Sequence, residues 1–439
     1  MLKTLVGAFK NKDIRKKILY TLMILVIVRV GSLLPIPGVD TEYFSSLLSG
    51  INTGDLSYLS AFTGGSFERM SLFALSITPY ITSSIIMQLL TIAIPKLEEM
   101  QKEGEDGRKK IASITRYVTI GLSLIESIAM AVGFGRSGLI KDSAQLSTLH
   151  YVVCIIVVVA ALTAGSAVLM WLGERITEKG VGNGISIVLL INIISGMPSD
   201  FATLYSTFVA PKTPAKGVLA AVIILAILIV MVVLVCFLQD GERRIPVQYS
   251  QKVSGRRTVG GQSTNIPLKV NTAGVMPIIF ASSLMQFPVI IAQLFGKSYE
   301  WTRYLSSSYW CRVEAPKYSI GLLVYIVLLI RYQYIDTSIT FNPIEVADNL
   351  KKAGGVIPGI TPGKSTSEYL NKILNYIVFI GAVGLLIIAL IPIMCTGFFN
   401  ASVSFGGTSI IIIVGVVLET LKQIESQMCN RYYKGFLSE

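Results

Sequence analysis

Ten apolar stretches, each about 20 residues long, punctuate this chain of 439 residues and decide most of what it can become. They run 18–34, 69–94, 111–133, 150–172, 185–209, 217–238, 270–294, 318–339, 373–396 and 405–428. A hydrocarbon core roughly 30 Å thick is crossed by about 20 apolar residues of helix, so each stretch is a candidate span. Backbone polar groups in hydrocarbon must be satisfied within the segment, which makes helix the expected state. Composition agrees, with 52% hydrophobic and 15% charged residues, against about 25% charged in a soluble domain. The expected fold class is all-α, a polytopic membrane protein with ten transmembrane helices. The third and fifth stretches are the weakest, because Glu126 interrupts one and Gly196, Pro198 and Asp200 cut into the other.

The N-terminal segment 1–17 is basic and the apolar run behind it mimics a signal peptide. That run ends in Pro35-Ile36-Pro37-Gly38 instead of a small-residue cleavage site, and more spans follow, so it reads as an uncleaved first span. Arg29 sits inside it. One charged residue at a span centre costs about 2.5 to 3.5 kcal/mol, and ten aliphatic residues at about 0.3 to 0.6 kcal/mol each offset it.

With ten spans, the connections alternate between two sides, and 26 of the 38 Lys and Arg residues fall on the side of the N-terminus, against eight on the other. That asymmetry places the N-terminal segment, the tail 429–439 and the long basic loops in the cytoplasm. Loop 239–269 carries Lys252, Arg256 and Arg257; loop 340–372 carries Lys351, Thr361 and Lys364 among several Gly and Pro. Their length suits a docking surface as well as a topology signal, since connections beyond about 12 to 15 residues tend to be functional or disordered.

Enzyme chemistry finds little support. Five scattered Cys form no CxxC pair, and a single His150 builds neither a triad nor a His-based metal site. No metal or cofactor is expected. The run Pro358-Gly359-Ile360-Thr361-Pro362-Gly363-Lys364-Ser365 ends like a nucleotide-binding loop. It has Pro where the motif needs its first Gly, and no buried strand followed by a helix brackets it.

Two features carry more information. Segment 55–65, with Asp55, Leu56, Tyr58, Leu59, Phe62, Gly64 and Gly65, is too short to cross a bilayer. On its residues alone it reads as an external interfacial helix, or as backbone sheltered inside protein at membrane depth. In the second stretch Ile77, Ile81 and Ile85 recur every four residues beside hydroxyls and Gln88. Such a stripe serves helix packing, or forms a hydrophobic constriction in an otherwise wet path.

Several strings resemble one family, the SecY subunit of the bacterial protein-conducting channel. They are Pro35-Ile36-Pro37-Gly38, Thr78-Pro79-Tyr80-Ile81 through Gln88-Leu89-Leu90, Met170-Trp171-Leu172-Gly173-Glu174, Gly182-Asn183-Gly184-Ile185-Ser186, Pro267-Leu268-Lys269-Val270-Asn271, Phe341-Asn342-Pro343 with Ala347-Asp348-Asn349-Leu350, and Phe405-Gly406-Gly407-Thr408-Ser409. They run in family order over nearly the whole chain.

The resemblance implies an hourglass channel of two inverted five-helix halves, 18–209 and 210–428, in the bacterial plasma membrane. It implies a pore ring of Ile77, Ile81, Ile185, Ile279 and Ile412, and it makes 55–65 the plug. It also implies a lateral gate between the second and third spans on one side and the seventh and eighth on the other, with Thr82, Gln88 and Glu126 as its polar groups. The implied partners are SecE and SecG, the ATPase SecA, the ribosome, signal peptides and nascent chains as substrate, and the lipid bilayer; no DNA partner is expected. Lys252, Arg256, Arg257, Lys351, Thr361 and Lys364 would face SecA or the ribosome, although the family usually has Arg where this chain has Thr361. A secondary transporter with inverted repeats is the alternative, resting mainly on Glu126 within the third span. A docking platform without transport would need neither the isoleucine stripe nor the plug-sized segment.

Overall fold

The computed structural model describes residues 7, 9–50, 63–135, 139–140, 147–210, 214–249, 252–254, 257–259, 263–294, 300–306, 309–311, 316–399 and 407–434. Helices dominate. In order they are α1 (Lys12–Leu33), α2 (Thr41–Gly50), α3 (Thr78–Ala93), α4 (Pro95–Lys102), α5 (Glu105–Gly135), α6 (Thr148–Lys179) and α7 (Gly184–Leu204), which runs into a π-helical turn Tyr205–Val209. The second part of the chain supplies α8 (Pro214–Asp240), α9 (Met276–Leu294), α10 (Glu300–Leu305), α11 (Ile320–Thr340), α12 (Pro343–Lys352), α13 (Lys364–Phe399) and α14 (Gly407–Lys434).

Local chemistry sets many of the ends. Asn11, Asn183 and Asn342 cap α1, α7 and α12, each side chain accepting from the backbone N–H two residues on at 3.1 to 3.2 Å. Pro95 forces Ile94 into extended backbone (φ −112°, ψ 112°), because the ring of a proline excludes the residue before it from the helical region. The chain bends there by 103° between α3 and α4. Pro198 sits inside α7 without ending it, so the fifth candidate span is one helix.

Six helices are long and apolar enough to cross a membrane, and the bent pair α3–α4 raises the number to seven among the described residues. A helix also lies in each of the other three stretches, α1, α9 and α14. The shorter apolar core of α9 and the charged ends of α1 and α14 separate them from the six. Large apolar side chains are exposed along α1, α5, α6, α8, α11 and α13, Val26, Ile125, Ile156, Leu219 and Val327 among them. In a bilayer those faces meet lipid.

One expectation needs correction. The second stretch is not helical from residue 69, because 64–77 is a series of tight turns. Met70 (φ 40°) and Ser76 (φ 52°) take left-handed backbone there, which interrupts any helix. The fold is predominantly helical, as expected, and its long loops add a few short strands. Strand β1 (Glu242–Tyr249) pairs antiparallel with β4 (Ser263–Lys269), and a short hairpin of β2 (Lys252–Ser254) and β3 (Arg257–Val259) forms the tip. Strand β5 (Gly355–Val356), from the other long loop, adds to the free edge of β1.

The two basic loops are therefore one module. Ile245 and Val247 alternate inward along β1 while Arg244, Pro246 and Gln248 face out. The inward pair packs with Leu268 of β4, Leu350 of α12, Ile357 just after β5, and Leu370 and Ile373 of α13. Leu370 is fully buried in this core, and truncating such a residue costs about 2 to 5 kcal/mol. Leu370→Ala is expected to make both 239–269 and 340–372 cleavable by trypsin at doses the native protein resists, with the apolar helices still protected. Unchanged cleavage of either loop would show that they do not share a core.

Candidate functional site

The isoleucine stripe begins where the turns end. Ile77 caps α3, with its carbonyl accepting from the N–H groups of Tyr80 and Ile81 at 3.1 Å, and Pro79 in the first turn needs no partner for its nitrogen. Ile81 and Ile85 follow at four-residue spacing on one face. Ile77, Ile81 and Ile85 are all buried. They belong to the same apolar cluster as Ile279 of α9 and Ile412 of α14, and the half-buried Ile185, in the first turn of α7, packs against it.

The five positions named from the sequence thus share, from four helices of both sequence halves, one extended apolar cluster that holds many other core residues. Helix α9 touches α3 and α5, and α14 touches α7. Val188, Ile278 and Ile411 share the cluster; nothing distinguishes them from other aliphatic residues of the spans in sequence.

Beside this cluster lies a polar collar that sequence reasoning missed. Asn192 of α7 donates from Nδ2 to Ser76 Oγ at 3.0 Å, and Ser166 of α6 donates to the Ser76 carbonyl at 3.5 Å. Ser195 donates to the Asn192 carbonyl at 2.8 Å and lies 3.4 Å from the Gly64 carbonyl. Gly64 has φ +61°, and a Cβ there would stand 2.6 Å from Ser195 Oγ, 2.8 Å from the Asn192 carbonyl and 3.0 Å from Arg29 Nη1. Both backbone angle and crowding demand glycine. Among the described residues, Arg29 Nη1, Ser66 Oγ and Asn192 Oδ1 are buried without a hydrogen-bond partner. Of the expected plug, Gly64 and Gly65 are described, whereas Asp55, Leu56, Tyr58, Leu59 and Phe62 lie outside the described residues.

The expected gate groups are spread along two helices. Thr82 spends its hydroxyl on the Thr78 carbonyl at 3.1 Å. Gln88 lines a cleft between α3, α9 and α11, together with Ile85, Phe280, Tyr332 and Asp336. Glu126 is half-buried on α5, which packs against α3.

On the loop module, Lys351 lies in the last turn of α12 and Lys364 opens α13, both exposed. Thr361 is also exposed, and its carbonyl accepts from Thr366 Oγ1 at 2.9 Å. Lys252 and Arg257 stand on the paired strands of the tip, and Arg256 lies outside the described residues. Among the described residues no three His, Cys, Asp or Glu converge as a metal site would require.

Known proteins match this arrangement over the whole chain. The SecY family profile matches residues 71–421. The protein translocase subunit SecY of Streptomyces galbus is 43% identical, with 100% of both chains covered. That of Halalkalibacterium halodurans is 42% identical over 100% of both, and that of Staphylococcus aureus 39% over 99% of both. A solved protein-conducting channel agrees in fold with TM-score 0.61 at 17% identity, covering 94% of this chain and 92% of its own. Sec61 from a canine ribosome-channel complex agrees with TM-score 0.58 at 16% identity over 94% and 92%. The identities and the end-to-end coverage leave one conclusion: the chain belongs to the SecY family of channel-forming translocase subunits.

Proposed function

We propose that the chain is a passive conduit that moves unfolded polypeptide across the bacterial plasma membrane and releases apolar segments sideways into lipid. The observation that carries this reading is the cluster of Ile77, Ile81, Ile279 and Ile412, with Ile185 at its margin, drawn from separate helices of both halves. Branched apolar side chains meeting across a path keep it dry, because water loses hydrogen bonds in so narrow an apolar throat. A polypeptide spreads them and takes their place as packing partner. No chemistry at this site supplies work, so a motor such as SecA or the elongating ribosome would drive movement.

Ten spans in two inverted halves, 18–209 and 210–428, complete the proposed architecture, with both termini cytoplasmic by the distribution of Lys and Arg. The collar at Gly64 would seat the C-terminal end of the plug, 55–65, against α7. The seam between α3 and α5 on one side and α9 and α11 on the other would be the lateral gate, with Thr82, Gln88 and Glu126 along it. Segments rich in Leu, Ile and Val gain about 0.3 to 0.6 kcal/mol per residue on entering lipid, and each Lys, Arg or Asp costs about 2.5 to 3.5 kcal/mol, which sorts the substrate.

The loop module with Lys252, Arg256, Arg257, Lys351 and Lys364 would dock SecA or the ribosome, whose RNA phosphates suit a basic surface. A fold relative is recorded in a canine ribosome-channel complex, and a second, yeast Ssh1, bound to the 80S ribosome. With Thr361 in place of the family's usual Arg, the contact with SecA would rest on Lys351 or Lys364. SecE and SecG would complete the complex. A transporter would gather acids at midplane, whereas Glu126, Asp336 and Glu419 stand on three different helices.

Ile81→Asn or Ile412→Asn is expected to wet the throat and raise resting ion conductance in planar bilayers several-fold; unchanged conductance would contradict the ring. Asn192→Leu removes a buried hydrogen bond to Ser76, a change of about 1 to 3 kcal/mol. Thermal unfolding in detergent should occur at lower temperature for this variant, and an unaltered midpoint would mean that the collar contributes nothing to the wall.

A further inference from the structure

The segment that joins α9 to α11 folds back onto the start of α11. The Tyr304 carbonyl of α10 accepts from Trp310 Nε1 at 2.9 Å. Gly321, in the first turn of α11, approaches the same carbonyl so closely that a Cβ would overlap it. The Cys311 N–H donates to Ser319 Oγ at 3.3 Å. Tyr318 meets Tyr304 edge to face at 5.0 Å and Tyr309 at 6.0 Å. Together these contacts seat α10 on the 3-10 turn Pro316–Ser319 and build an aromatic platform there.

Two cations ride on the platform. Arg303 Cζ stands 5.9 Å from the centre of the Tyr309 ring and Lys317 Nζ 5.0 Å from that of Tyr318, and the Tyr318 hydroxyl interacts with both. Both side chains are exposed, and among the described residues neither forms an ion pair. Glu300, three residues before Arg303, acts on it only at longer range. Like charges held on adjoining rings repel, and one anion between them turns that repulsion into two attractions. A phosphate has oxygens enough for a guanidinium and an ammonium at once.

Position identifies what carries the phosphate. Lys317 lies three residues before Ile320, which with Leu323, Val324 and Val327 belongs to the exposed apolar surface of α11. That surface meets lipid. Trp301 is exposed on α10, which packs on the start of α11, and an indole there suits the headgroup layer. The proposed topology puts this end of α11 outside, where two of only eight basic residues thus stand together.

The geometry points to a lipid site: Arg303 and Lys317 clamp the phosphodiester of an anionic phospholipid of the phosphatidylglycerol type in the outer leaflet, with its acyl chains along Ile320 and Val324. A zwitterionic headgroup fits less well, because its own ammonium meets the same two cations. The site is separate from the isoleucine cluster, and the proposed topology enters only in naming the leaflet.

The test reconstitutes the purified complete complex in vesicles of equal phosphatidylglycerol and phosphatidylcholine, with a photoreactive residue at Ile320, and measures the ratio of the two lipid adducts by mass spectrometry. Wild-type Arg303 and Lys317 should favour phosphatidylglycerol about tenfold, the effect of hydrogen bonds from charged donors. Arg303→Gln combined with Lys317→Gln should bring the ratio close to one, and Lys317→Arg should keep it. The same photoreactive residue at Leu219, on the exposed face of α8, should show no preference in either background. Because the readout is a ratio within each variant, a smaller yield of folded complex does not mimic the result. A ratio near one with both cations present, an unchanged ratio in the double variant, or an equal preference at Leu219 overturns the site. Collapse of the ratio on adding inorganic phosphate, but not chloride at equal ionic strength, assigns the cations to a free anion and overturns the lipid.

Discussion

The contact on which the architecture depends is the apolar one that the two halves of the chain share. Ile77 and Ile81 from one half and Ile279 and Ile412 from the other belong to a single buried cluster. Such contact is non-directional and scales with area, at about 25 cal/mol per Å². In the proposed conduit it would close the throat without fixing a geometry, so a passing segment would replace it with contact of the same kind. Polar bonds do the opposite, and they are found within each half. Asn192 to Ser76 and Ser83 to Thr115 tie helices of the first half, and Gln333 to Asn271 does so in the second. Lys17 to Gln427 is a polar link between halves, at the end of α14 far from the waist. Rigid walls joined by a yielding seam are what a gated conduit requires.

The loop module places the proposed docking surface on the same framework. Strand β4 ends at Lys269, and Asn271, two residues on, accepts from Gln333 of α11 and donates to the Gly274 carbonyl ahead of α9. The hairpin is thus joined within a few residues to α9 and α11. Strand β5 and α12 bring the second loop into the same core, so the two basic loops present one surface instead of two.

Much of this was legible from sequence, and what was not has physical reasons. Each apolar stretch contains a helix because length and hydropathy are local properties, and the four-residue recurrence of Ile81 and Ile85 survives as a buried face. The turns at 64–77 escaped notice because Met70 and Ser76 adopt backbone that their residue types rarely take. The sheet escaped because β5 is two residues long and pairs with a strand about a hundred positions earlier, with no local pattern to betray it. The collar escaped because single polar residues such as Asn192 look alike whether they face lipid, a neighbour or a bend.

The central claim is that these isoleucines line the path of the substrate. It is tested most directly by stalling a translocating polypeptide in the assembled complex, with a photoreactive residue placed in turn at Ile81, Ile185, Ile279 and Ile412, and at Leu219 and Phe237 on the exposed face of α8. The account predicts adducts with the polypeptide at the first four positions and with lipid at the last two. Adducts at Leu219 and Phe237, with none at the isoleucines, would contradict it.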